Sequence, residues 1–212
     1  MADAGGMCNP RLVLLPSRFD RPCCAAILFV SVVAAWSCLA AMPRYVAFLR
    51  GVSPMNAKMP ELKRAFESAG FTNVKTVLSS GNVVFDSRSR SDSTLARQAE
   101  AAMTEQLDRT FLTFVRPVSA LSELIEEDPH TAFRLAPNAK RLVIFLREPS
   151  TAKLRLPIEV DGASILAVRG RDALAAYIPR EADPAFMRVI EKTFGKGITT
   201  RTLDTVKKCA AA

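Results

Sequence analysis

Val46-Ala47-Phe48-Leu49-Arg50 returns ninety-seven residues later, with one residue changed, as Val143-Ile144-Phe145-Leu146-Arg147. An offset of that size is too long for a solenoid or propeller period and suits a duplicated domain of ordinary small size. Each copy is a short apolar run with β-branched and aromatic residues. It reads as a buried strand that ends on an arginine.

Around the first copy, Tyr45 to Leu49 is the strand and Arg50-Gly51 opens a loop. Pro60 suits the first turn of a helix in which Met59, Leu62, Phe66 and Ala69 recur at helical spacing, and Gly70 supplies a left-handed stop. Val74 to Leu78 and Val83 to Phe85 then flank Ser79-Ser80-Gly81-Asn82, a hairpin signal of small turn formers. Asp92 or Ser93 caps a second helix carrying Leu95, Ala99, Ala102, Met103 and Leu107, and Phe111 to Val115 makes a fourth strand. Strand, helix, strand, strand, helix, strand is the split βαβ of ferredoxin-like domains, an antiparallel sheet with both helices on one face.

The second copy predicts the same order with losses. Leu142 to Leu146 is its first strand, and Ile165 to Val168 pairs with Ala173 to Ile178 around Gly170-Arg171. The crossover between them, Ser150 to Pro157, is short and stops at a proline, so it reduces to a single turn or a loop. Asp183 caps a helix with Phe186, Val189, Ile190 and Phe194, Ile198 to Thr200 is a brief last strand, and Thr202 caps a terminal helix through Cys209. The expected fold is α+β: two tandem ferredoxin-like (α/β plait, βαββαβ) subdomains with antiparallel sheets, 42–118 and 140–212, the second degenerate. Segment 119–139 joins them, beginning as a short helix at Leu121 and loosening at Pro129 and Pro137.

Residues 1–41 are a separate problem. No charge lies between Arg21 and Arg44, and Cys23 to Met42 is an apolar run about long enough to cross a bilayer. Three readings compete: a signal peptide with Cys38-Leu39-Ala40 as its cleavage site, an uncleaved anchor, or upstream sequence joined by a misplaced start codon, with Met42 the first true residue. The last is favoured, because the run passes into the first strand at Arg44 without a polar linker. Membrane contact or export is expected only if these residues are genuine. The compartment expected otherwise is cytoplasmic.

With 49% hydrophobic and 24% charged residues, the chain has the composition of a soluble globular protein. Lys and Arg number 29 against 21 Asp and Glu, which suits an anionic partner such as a nucleotide, a phosphorylated metabolite or nucleic acid. The basic residues are scattered, however, and generic solubility charge is the stronger explanation. Cys8, Cys23, Cys24 and Cys38 precede the globular part and only Cys209 lies within it; none forms a Cys-x-x-Cys pair, which points to a reducing compartment. His130 is the only histidine, so no metal site and no cofactor are expected, and a catalytic histidine is less favoured than an exposed loop residue.

Met42-Pro43-Arg44-Tyr45-Val46-Ala47-Phe48-Leu49-Arg50-Gly51, Lys58-Met59-Pro60-Glu61-Leu62, Ser79-Ser80-Gly81-Asn82-Val83-Val84-Phe85 and Thr199-Thr200-Arg201-Thr202-Leu203-Asp204-Thr205-Val206 resemble the bacterial family called domain of unknown function 1697. The resemblance runs from Met42 to about Cys209. It implies two ferredoxin-like subdomains and brings no established activity. The chain departs from many relatives at Val52-Ser53-Pro54-Met55-Asn56, where an Asn-Val-Gly-Gly loop is usual, and at Leu203, where an aromatic is frequent. The stiffer loop puts a backbone anion cradle in doubt.

The residues available to a ligand are Arg50, Ser53, Asn56, Lys58, Ser79, Ser80, Asn82 and Arg201, with Arg147 as the second-copy counterpart of Arg50. Arginines at strand ends pair with carboxylate or phosphate, or else form structural salt bridges, and the latter is slightly favoured. Ser79, Ser80 and Asn82 mark an anion-holding turn or an ordinary hairpin. Arg201 precedes a helix N-terminus, a position equally suited to an anion or to a cap. No general base lies near Ser79 or Ser80. The leading expectation is a non-catalytic module with a cleft between two sheets, lined by Arg50, Ser79, Asn82 and Arg201, for an anionic ligand. The alternatives are an enzyme on a small anionic substrate with Asp204 or Glu61 moving a proton, and a structural protein forming a homodimer through sheet edges.

Overall fold

The computed structural model describes residues 42–88, 90–150, 154–179 and 185–212. Every element below belongs to one compact unit, Ala40–Ala212. The apolar run before Met42 and the cap expected at Asp183 lie outside the described residues.

The first half contains β1 (Arg44–Leu49), α1 (Met59–Ser68), β2 (Thr72–Val77), β3 (Asn82–Asp86), α2 (Asp92–Leu107) and β4 (Thr113–Pro117). After α3 (Val118–Glu127) and a single 3-10 turn (Pro129–Ala132) come β5 (Lys140–Leu146), β6 (Ile158–Val160), β7 (Ala163–Arg169), β8 (Asp172–Tyr177), α4 (Ala185–Phe194), β9 (Ile198–Thr202) and α5 (Leu203–Ala210). The protein is thus mixed α+β, with five helices and two antiparallel sheets among the described residues. Their strand orders are β2-β3-β1-β4 and β6-β7-β8-β5-β9.

The repeated pentapeptides are apolar without interruption because β1 and β5 are covered on both faces. Tyr45, Ala47 and Leu49 point to the layer of α1 and α2, packing with Leu62, Phe66, Leu95 and Met103. Val46 and Phe48 point the other way and meet Val143 and Phe145 of β5. Leu142, Ile144 and Leu146 face outward to Ile190 of α4. The two sheets therefore pack face to face, with helices on their outer faces. Phe48 and Phe145 stack at 4.2 Å between ring centres, 10° from parallel. Burying two such rings contributes about 2–3 kcal/mol each, with about 1 kcal/mol more from the stack. Leu121 and Leu124 of α3 and Leu203, Val206 and Cys209 of α5 complete this central core. What was expected as an open cleft between the sheets is, on this face, packed side chains.

Pro60 occupies the first turn of α1, and Gly70 follows it at φ 83°. Ser91, not Asp92 or Ser93, caps α2: its Oγ accepts from the amide of Thr94, which leaves the Asp92 carboxylate to pair with Arg171. Thr202 caps α5 as expected, accepting from the amide of Thr205. The described parts of Ser150 to Pro157 contain no helix, and β6, which the sequence did not suggest, adds an edge strand just after them. His130 is not an exposed loop residue. It is 1% exposed, because the 3-10 turn presses its ring against β5 and β8.

Candidate functional site

Arg201 of β9 stands opposite Val143, and Arg116 of β4 stands opposite Val46, the same register in each sheet. Each crosses to the other sheet. Arg201 Nη2 donates to the carbonyls of Leu49 (2.7 Å), Ser80 (2.9 Å) and Gly81 (3.3 Å), and its Nε to Asn82 Oδ1 (2.5 Å). Its Nη1 donates to Thr199 Oγ1 and the Thr200 carbonyl, both at 2.8 Å. Arg116 Nη2 donates to the carbonyls of Leu146 (2.9 Å) and Arg171 (2.8 Å), and its Nε to Asp172 Oδ1 (2.8 Å). The guanidinium of Arg201 lies 5.7 Å from the Phe48 ring centre, and that of Arg116 lies 5.5 Å from Phe145. Each arginine thus grips the end of the other half's pentapeptide strand.

Burial sets the electrostatics of both clasps. It lowers Arg201 to about 10 and raises the nearby Cys209 thiol to about 11, which leaves that sulfur protonated and inert at neutral pH. Arg116 is pulled below its ordinary value and Asp172 is pushed above its own. Loss of solvation is the first cause in both, and their mutual attraction works against it.

Arg50 and Arg147 also reach across. Arg50 donates to Glu191 of α4 (2.7 Å) and to the Ile198 carbonyl (2.6 Å), while Arg147 forms a two-pronged pair with Glu100 of α2 at 2.7 and 2.9 Å. Of the residues singled out from sequence, Arg50, Ser80, Asn82 and Arg201 are brought together here; Arg50, Asn82 and Arg201 direct their donors to protein acceptors, and Ser80 supplies two of those acceptors, its carbonyl and its Oγ. Asn82 is wholly buried and donates to the Val77 carbonyl and Ser80 Oγ. Ser79 is exposed beside them in the hairpin turn.

Ser53, Asn56 and Lys58 belong to a different place. Asn56 Oδ1 accepts from the amide of Ser53 and its Nδ2 donates to the Gly51 carbonyl, which fixes the loop before α1. This loop, α1 and the end of α2 border a solvent-open cavity of about 810 Å³. Lys58, Arg64 and Arg109 line it together with Glu61, Glu105 and Asp108. Arg109 donates to the Asn56 carbonyl at 2.8 Å; Arg64 has no hydrogen bond or ion pair among the described residues. Met55, 98% exposed, stands at the rim. Among the described residues no cluster of His, Cys, Asp and Glu is arranged to hold a metal, and no helix is long and apolar enough to cross a membrane.

Sequence reading missed Arg116, Glu100 and Glu191, and missed Arg64 and Arg109 on the cavity wall. A signal for Arg116 was present: ending the fourth strand at Val115 left it one residue outside, whereas its register matches that of Arg201. Nothing local marks Glu100 or Glu191 among the other carboxylates of their helices.

The α+β fold is shared with a solved structure, that of the conserved bacterial protein SP0830 from Streptococcus pneumoniae, with a TM-score of 0.58 at 18% identity. The match covers 81% of this chain and 98% of that one. The family model described as "Protein of unknown function (DUF1697)" matches residues 42–171, and the chain belongs to that family. No curated protein matches it.

Proposed function

We propose that this protein is a non-catalytic binding module built from two ferredoxin-like halves, the second degenerate, and that it holds a small anionic ligand in the cavity beside α1. The shared strand order, β2-β3-β1-β4 and β7-β8-β5-β9, and the matching registers of Arg116 and Arg201 support the duplicated plait. On this reading Arg50, Ser80, Asn82 and Arg201 hold the scaffold, Ser79 flanks it, and Ser53 and Asn56 shape the loop that presents Lys58.

One observation carries the site. Lys58, Arg64 and Arg109 line a single cavity, and Arg64 has no partner among the described residues. Glu61, Glu105 and Asp108 on the same walls oppose a long polyanion, so a compact ligand with one or two negative groups fits better than a nucleic-acid backbone. The lining supplies no Ser, Thr, Cys or His, which favours binding over covalent catalysis. The test is a thermal-shift panel of orthophosphate, pyrophosphate, nucleotides and di- and tricarboxylates. A ligand at a hundred times its Kd stabilises by about 2.7 kcal/mol. A selective rise in Tm that disappears in Arg64→Ala and Arg109→Ala supports the site. A panel without a selective rise, or a rise indifferent to both substitutions, refutes it. Salt-dependent retention on heparin that needs Arg64 would move the reading to nucleic acid.

A further inference from the structure

His130 and Asp128 hold the two buried side-chain polar atoms that lack a hydrogen-bond partner among the described residues, His130 Nδ1 and Asp128 Oδ1. They face each other at 4.0 Å, and the histidine side chain is fully buried. The other ring nitrogen is committed: Nε2 lies 3.1 Å from the Leu142 carbonyl and 3.3 Å from that of Ala175, cross-strand partners in β5 and β8. Two carbonyl acceptors require the proton on Nε2, so Nδ1 carries a bare lone pair 4.0 Å from a carboxylate oxygen. Such a contact between acceptors is unfavourable in the interior, and one proton reverses its sign.

We propose that Asp128 and His130 form an acid-responsive latch where α3 hands over to the second sheet: a proton taken from solvent at Nδ1 turns the opposed acceptors into an ion pair whose attraction draws them from 4.0 Å into hydrogen-bond reach. Asp128 already accepts from Arg141 through its other oxygen at 2.9 Å, so the closed latch makes the carboxylate a bridge between an imidazolium and a guanidinium. The charged groups facing the ring are Asp128, from the turn after α3, and Arg141, from β5; β8 contributes a carbonyl. Burial opposes protonation and is the largest influence on the ring, with Asp128 favouring it and Arg141 opposing it.

His130 is the only histidine of the chain, so its ring nitrogens can be followed by 15N NMR in the intact protein without assignment. At pH 7.5 the proton is expected on Nε2. On acidification Nδ1 takes a proton with a midpoint below the ordinary 6.5, while the fold remains intact. Asp128→Asn should lower that midpoint by about one pH unit. Arg141→Ala, at a side chain 43% exposed and therefore safe for folding, should raise it. The latch is overturned if the neutral ring carries its proton on Nδ1, if neither substitution moves the midpoint, or if the chain unfolds before Nδ1 is protonated.

Discussion

Arg201→Ala removes a guanidinium that donates to six acceptors, four of them backbone carbonyls; four of the six, the carbonyls of Leu49, Ser80 and Gly81 and the side-chain oxygen of Asn82, lie on the opposite half of the fold. Gly81 keeps the Leu49 amide as a second donor, so its carbonyl is not orphaned. Leaving the carbonyl of Leu49 and the amide oxygen of Asn82 without this donor costs about 1–3 kcal/mol each, and the lost contact with the Phe48 ring about 1 kcal/mol, whereas the exposed Ser80 carbonyl turns to water at little cost. Removing a buried charge returns part of this, since burial already brings Arg201 down to about 10. The expected net loss is about 2–4 kcal/mol, a large share of the roughly 5–15 kcal/mol available to a domain. Urea unfolding followed by far-UV circular dichroism measures it, with a lower midpoint at unchanged slope. Arg201→Lys keeps the charge but not the planar fork and should lose an intermediate amount. A loss below about 1 kcal/mol in Arg201→Ala would refute the clasp, as would a lysine variant as stable as the parent protein.

Gly81→Ala should destabilise by more than the roughly 1–2 kcal/mol of a left-handed alanine, because a Cβ there meets Val52 Cβ at 2.6 Å and Cγ2 at 2.8 Å; Val52→Ala in the same chain removes the Cγ2 contact and should recover part of it in thermal melts. Phe48→Ala and Phe145→Ala should each cost about 3–5 kcal/mol by urea unfolding, and the double substitution less than their sum, since each removes the other's stacking partner. A double-mutant cycle on Arg50 and Glu191 should give a coupling of about 0.5–1 kcal/mol that shrinks with added salt, because both side chains are about one-third exposed. His130 has a folded-state value below its unfolded 6.5, so its contribution to stability is fully present above that pH. Below it, the unfolding free energy from urea titration should fall at up to about 1.4 kcal/mol per pH unit until the folded-state value is reached, and His130→Gln should flatten that limb.

The elements of the first half were legible because each carries its own signal: a proline and a glycine bracket α1, and small residues mark the turn before Asn82. β6 was not legible, since three residues at an edge have too little periodicity to register. The cap of α2 was displaced by one residue because Ser91, Asp92 and Ser93 are all good caps, and the choice fell to a distant guanidinium, that of Arg171. His130 next to Pro129 read as a polar loop, and only the two carbonyls that receive its ring proton make its burial tolerable.

The sequence by itself determined the strands other than β6, most of the helices and the repeated pentapeptide, because periodicity, caps and turn residues act over a few positions. It also singled out Arg50 and Arg201 without saying what they touch. The tertiary structure decided that the two pentapeptides face each other and that each half's last-strand arginine is spent on the other half. Arg201 and Leu49 are separated by 152 positions in the chain, and no local pattern encodes which carbonyl a guanidinium will find once two sheets close around it. Burial makes that choice: an arginine inside must be given acceptors, and here the opposite strand ends supply them. Lys58, Arg64 and Arg109, in contrast, line a cavity that stays open to solvent.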